Sequence, residues 1–127
     1  MPRVALVVDD SMLIRHTVCR FLEERGFTVE SATNGVQALE MLGDLSPDII
    51  ITDMQMPKMD GSQLIDELKA KPETAKIPIV ILAGKQTGAD HAHEARADYI
   101  IFKDIDIDHQ LQKALVAALG DPAIAGL

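Results

Sequence analysis

Runs of apolar, mostly β-branched residues recur along this chain, and segments with helical spacing separate them. The first run, in Arg3–Val8, is Val4-Ala5-Leu6-Val7-Val8; Ile49-Ile50-Ile51-Thr52 and Ile79-Val80-Ile81-Leu82 repeat the pattern. A strand covered on both faces reads as a continuous hydrophobic run rather than an alternating one. These three segments therefore predict interior strands of a parallel sheet. Phe27–Thr33 and Tyr99–Phe102 supply the second and fifth strands in chain order.

Between the strands the spacing turns helical. Ser11 is placed to cap a helix reaching about Arg25, with Ile14, Val18, Phe21 and Leu22 on one face and Gly26 closing it. Asn34-Gly35 turns into a second helix, about Val36–Leu45, and Ser46-Pro47-Asp48 punctuates the entry to strand three. A third helix covers about Ser62–Lys71 and is closed by Lys71-Pro72. The polar stretch Lys85–Arg96 is assigned a fourth helix with a thin apolar face. The fifth runs near Asp108–Leu119 and turns Leu111, Ala114, Leu115, Ala118 and Leu119 inward.

Five strands alternating with five helices predict an α/β fold, a flavodoxin-like, doubly wound, five-stranded parallel sheet. Right-handed crossovers leave few topologies, and strand order 2-1-3-4-5 is a common one. In that order strands one and three lie side by side at the point where ligands bind beyond the carboxyl ends. Asp9 and Asp10 follow strand one and Asp53 ends strand three, so three carboxylates should gather there. Like charges at close range resist ionising together, and a divalent cation would relieve the repulsion. The pattern reads as a cation site beside a nucleophilic Asp53.

Composition narrows the function classes. A chain of 127 residues suits one domain, taken as residues 1–119 with a short tail over 120–127. The formal net charge of −8 argues against direct nucleic-acid binding and against anionic membrane surfaces. The single Cys19 excludes an internal disulfide, fits a reducing compartment and is read as a small buried hydrophobe. No stretch approaches the roughly 18 apolar residues of a membrane span, and no signal-peptide layout opens the chain, so a cytoplasmic location is expected.

Three features together carry a resemblance: Val7-Val8-Asp9-Asp10-Ser11, the loop Asp53-Met54-Gln55-Met56-Pro57-Lys58-Met59-Asp60-Gly61, and Lys103 after strand five. The chain resembles the receiver domain of two-component response regulators, in the manner of the chemotaxis regulators, over residues 3–119. The resemblance implies that Asp53 accepts a phosphoryl group from a phosphohistidine of a sensor histidine kinase or histidine phosphotransfer protein. It further implies a Mg²⁺ cofactor held directly by Asp10 and Asp53, through water by Asp9, and by the Gln55 backbone carbonyl. Lys103 would pair with the phosphoryl oxygens. Hard oxygen ligands suit Mg²⁺, and phosphoryl transfer is mostly positioning and charge neutralisation. Asp60 reads as a turn residue before the third helix, and Pro57 and Gly61 shape the loop. Such a protein is a phosphoacceptor that catalyses its own phosphorylation and dephosphorylation rather than an enzyme acting on other molecules.

Several positions depart from the family pattern. Where the family has a Ser or Thr at the end of strand four, this chain has Ala83, followed by Gly84. The aromatic switch position, three residues before the Lys, is Ile100; Tyr99 is adjacent but belongs to the opposite face of the strand. Asp104 replaces the usual Pro after the Lys. Gln55 and Lys85 occupy the positions that flank the water approach to the phosphoryl group. His91 and His93, two apart on a helix, do not face each other and make a poor metal pair. Met12, Met54, Met56 and Met59 surround the proposed site, either as packing under the loop or as a soft docking surface.

The leading expectation is a stand-alone receiver that signals through protein-protein contacts with a weakened Thr/aromatic switch. The alternative is a pseudoreceiver, an interaction module without phosphorylation-driven switching. A haloacid-dehalogenase-type phosphatase is disfavoured because Gln55 stands where its acid/base Asp belongs. A flavodoxin is disfavoured because no Ser/Thr/Gly-rich phosphate loop follows strand one.

Overall fold

The computed structural model describes residues 3–54, 58–59, 61–84, 97–103 and 106–120. Five strands, β1 (Val4–Val8), β2 (Thr28–Ala32), β3 (Ile49–Asp53), β4 (Ile79–Ala83) and β5 (Tyr99–Phe102), form one parallel sheet in the order 2-1-3-4-5. The helices are α1 (Met12–Glu23), α2 (Gly35–Met41), α3 (Gly61–Ala70), α4 (Pro72–Ala75) and α5 (Ile107–Leu119). Fold class and strand order agree with the reading of the sequence.

The continuous hydrophobic runs do what such runs predict: alternate residues along the strands feed two cores. Val7, Ile51, Leu82 and Ile101 face one layer, where Val18, Phe21 and Leu22 of α1 and Leu111, Ala114 and Leu115 of α5 cover them. Leu6, Val8, Ile50 and Ile81 face the other, covered by Ala38 of α2 and Leu64, Ile65 and Leu68 of α3. Burying a Leu or Ile side chain contributes roughly 1.5–3 kcal/mol, so this double layer is the main source of stability.

Local signals held at the helix starts. The Ser11 hydroxyl accepts from the Ile14 amide at 3.4 Å, and the Asn34 side chain accepts from the Gln37 amide at 2.9 Å. Gly26 takes φ 87°, the left-handed conformation that ends α1 without steric cost. Boundaries moved by a few residues, with α2 ending at Met41 rather than Leu45.

One element was not foreseen. Lys71-Pro72 does end α3, but Pro72 then opens the single turn α4, where its fixed φ suits the first helical position. The Thr74 hydroxyl donates to the Leu68 carbonyl at 2.6 Å and ties this turn back onto α3. The fourth helix expected over Lys85–Arg96, with Lys85, His91 and His93, lies outside the described residues, as do Gln55, Met56, Asp60, Asp104 and residues 121–127.

Candidate functional site

Register alone begins the site. Val8 of β1 pairs with Thr52 of β3, so the next residue on each strand, Asp9 and Asp53, arrives at the same level of the sheet. Asp10 follows on the turn into α1. One oxygen from each of Asp9, Asp10 and Asp53 lies within 4.8 Å of the others. Asp9 and Asp53 are buried and Asp10 is exposed. The sequence expected these three to meet, and they do.

Asp9 is held from several directions. Its amide donates to the Ala32 carbonyl at 3.1 Å, and its Oδ1 accepts from the Ser11 amide at 2.8 Å. The Arg15 guanidinium, one turn into α1, donates to the Asp9 carbonyl at 2.9 Å. Sequence reasoning passed over Arg15, although its place four residues after the Ser11 cap returns it to the same face of the helix.

Lys103 enters from β5. Its amide donates to the Ala83 carbonyl at 2.9 Å, and its Nζ lies 2.9 Å from Asp9 Oδ2 and 3.1 Å from Asp53 Oδ2. Burial works to lower the Lys103 pKa, but the hydrogen bond it donates to Asp9 and the charges of Asp53 and Asp9 outweigh it, leaving a net rise. The ammonium therefore stays charged throughout the neutral range.

Three carboxylates facing one ammonium leave a formal charge of −2 at the carboxyl ends of the strands. Oxygen-only donors, with Asp10 exposed on the solvent side, are the donor set a small hard cation takes. The residues fit Mg²⁺.

The end of β3 and the residue after it, Met54, lie against the start of α3. The Gly61 amide donates to the Met54 carbonyl at 2.9 Å, and a Cβ built at Gly61 would stand 2.5 Å from the Asp53 carbonyl oxygen. Only glycine admits so close an approach, which is why Gly61 follows the acidic loop. Met54 and Met59 pack against the second core, whereas Met12 remains 75% exposed. The described methionines of the site thus divide between packing and surface.

At the positions that depart from the family pattern, Ala83 is fully buried at the end of β4. Ile100 packs against the core shared with α2 and α3, while Tyr99 packs against the one shared with α1 and α5. The neighbouring Tyr ring is therefore on the wrong face to stand in for an aromatic at position 100.

Comparisons with known proteins agree with this geometry. The model of the response regulator receiver domain matches residues 5–115. A gliding motility regulatory protein of Myxococcus xanthus is 37% identical over 100 residues, covering 77% of this chain and 13% of that protein. The response regulator MprA of Mycobacterium ulcerans is 32% identical over 110 residues, covering 85% of this chain and 47% of its own length. The chain thus spans about half or less of these curated relatives.

Among solved structures, the signal receiver domain of a signal transduction histidine kinase from Syntrophus aciditrophicus superposes with a TM-score of 0.82 at 31% identity, covering 93% of this chain and 91% of that one. The chemotaxis response regulator CheY4 of Vibrio cholerae gives 0.81 at 29% identity, covering 91% and 97%. Among the described residues no helix is long and apolar enough to cross a membrane. With the acidic trio, the strand-five lysine and a family match across nearly all of the sheet and its helices, the chain belongs to the response regulator receiver domain family of two-component signalling.

Proposed function

We propose that Asp53 is the phosphoacceptor of this receiver, charged from a phosphohistidine on a sensor histidine kinase or histidine phosphotransfer protein, with Mg²⁺ as cofactor. The observation that carries the reading is Lys103 Nζ set between Asp9 and Asp53, beside an oxygen-only trio with Asp10 open to solvent. Asp9, Asp10 and Asp53 would hold the cation, with the Gln55 carbonyl as a further ligand.

In the transfer, an Asp53 carboxylate oxygen forms the new O–P bond as the P–N bond to the donor imidazole breaks. The departing nitrogen keeps the electron pair and takes a proton from solvent. Bound Mg²⁺ supplies neutralisation of the phosphoryl charge. Lys103 can exchange its Asp53 partner for a phosphoryl oxygen while keeping Asp9. Asp9, fixed by the Ser11 amide and the Ala32 carbonyl, holds that lysine in place.

The output is a changed protein-protein surface, and the switch that produces it is weak. Ala83 offers no hydroxyl to a phosphoryl group, and Ile100 offers no ring to reorient. A ligand shifts a conformation only through contacts that differ between its two states, and two such contacts are missing. The same two residues support the second reading, a pseudoreceiver whose interactions do not depend on phosphorylation.

Incubation with acetyl phosphate and Mg²⁺, followed by intact mass, separates the readings. A phosphoryl adduct on the wild type and none on Asp53→Asn is the expected result. No adduct under conditions where Mg²⁺ binding is confirmed would establish the pseudoreceiver.

A further inference from the structure

Lys103 reaches the acidic trio from β5, which lies at the edge of the sheet with β4 on one side only. Successive residues of a strand turn their backbone groups to opposite sides. The Lys103 amide points inward, to the Ala83 carbonyl at 2.9 Å, so the Phe102 amide and carbonyl point outward to the open edge. Both outward groups are taken by one side chain. The Phe102 amide donates to Gln110 Oε1 at 2.9 Å, and Gln110 Nε2 donates to the Phe102 carbonyl at 2.8 Å.

The Gln110 carboxamide, from the first turns of α5, thus plays the part of a sixth strand one residue long. A half-buried pair of hydrogen bonds to a single backbone unit fixes both its height and its direction. That unit immediately precedes the lysine.

We infer that Gln110 is a positioning residue: its carboxamide clamps Phe102 and so aims the Lys103 ammonium at Asp9 and Asp53. The inference rests on the proposed role of Lys103 in phosphoryl transfer. It extends that role to a residue that touches neither the acids nor the phosphoryl group. Covering an edge would also account for a side chain here, so the test has to separate aiming from mere stability.

Four proteins are compared with the wild type: Gln110→Leu, Lys103→Ala, the double variant, and Gln112→Leu as a control on the same helix. Reductive methylation read by peptide mass spectrometry reports how well the Lys103 side chain, 17% exposed, is protected in its ion pairs. Gln110→Leu should raise Lys103 labelling roughly fivefold, the population change that loss of a hydrogen-bonded clamp permits, and Gln112→Leu should leave it unchanged.

Phosphoryl uptake from acetyl phosphate should slow by a similar factor in Gln110→Leu and slow no further when that change is added to Lys103→Ala. Mg²⁺ affinity should hold or tighten, because withdrawing an ammonium from three carboxylates favours a cation. Unchanged labelling, additive losses of uptake, or weakened Mg²⁺ binding would each overturn the inference. Absence of uptake by the wild type would defeat the proposed function instead, and the labelling ratio would still decide the role of Gln110. If Gln110→Leu fails to fold, Gln110→Glu keeps the acceptor for the Phe102 amide and removes the donor. Labelling raised above the wild type supports the clamp, and labelling equal to the wild type rejects it.

Discussion

At the residue scale, two side chains sit in environments that work against their ordinary behaviour. Lys58 adopts φ 68°, a left-handed conformation that costs a side chain with a Cβ about 1–2 kcal/mol. Lys58→Gly should therefore stabilise the protein by about 1 kcal/mol, less the entropy glycine adds to the unfolded chain, and raise the urea midpoint without changing the m-value. Cys19 packs against the core shared by α1 and α5. Burial, with a smaller push from the Glu23 charge, raises its thiol above the ordinary 9.0, and Arg15 opposes only weakly. A raised folded pKa gives a contribution fully present below the unfolded value and lost as pH climbs through the folded one. Denaturant midpoints measured from pH 8 to 11 should thus fall more steeply for the wild type than for Cys19→Ala above about pH 9. Alkylation of the folded thiol at pH 8 should be slower than that of a free cysteine.

Elements are joined by side-chain clasps at their ends. Asp48, at the entry to β3, accepts the Val4 amide on Oδ2 at 2.8 Å while its own amide donates to the Val4 carbonyl at 2.7 Å. Asp98 repeats the device at the entry to β5, with the Ile79 amide at 2.8 Å and the Ile79 carbonyl at 2.8 Å. Each pins the register of two neighbouring parallel strands, and register sets which residue faces the site. Asp98→Ala should cost about 1 kcal/mol in chemical denaturation, with Asp48→Ala, more exposed, costing less. At the third junction, Gly61→Ala would force a methyl to within 2.5 Å of the Asp53 carbonyl oxygen. We expect that variant to lose about 2 kcal/mol and to bind Mg²⁺ more weakly, because relief of the clash must shift the strand end that carries Asp53. Calorimetric Mg²⁺ titration of Gly61→Ala beside Asp98→Ala separates the local effect from simple loss of stability.

For the whole molecule, the sheet gathers carboxylates whose repulsion the fold must tolerate. A cation that binds only the folded state stabilises by mass action, by about 2.7 kcal/mol at a concentration one hundred times its dissociation constant. Adding Mg²⁺ should raise the thermal midpoint of the wild type and have much less effect on Asp10→Asn. Equal shifts in both would remove Asp10 from the ligand set. Lys103→Ala should lower stability without Mg²⁺, because Asp9 is fully buried and would lose its ammonium partner, and should recover part of the loss when Mg²⁺ is added.

Much of this was written locally. Continuous β-branched runs, a hydroxyl or amide at the starts of α1 and α2 and acids at two strand ends are short-range signals. They determined the five strands, the sheet type and the gathering of Asp9, Asp10 and Asp53, because hydrophobic burial and capping act over a few residues at a time. The one-turn helix at Pro72 was hidden because a proline that ends one helix also opens another, and spacing does not say which will prevail. Only the tertiary structure decided that Lys103 meets both Asp9 and Asp53, that Arg15 holds the Asp9 carbonyl, and that Gln110 closes the sheet edge beside the lysine. Each of those contacts depends on strand register, edge position and the angle at which a helix docks. Those quantities are set by the packing of the whole core rather than by any run of neighbouring residues.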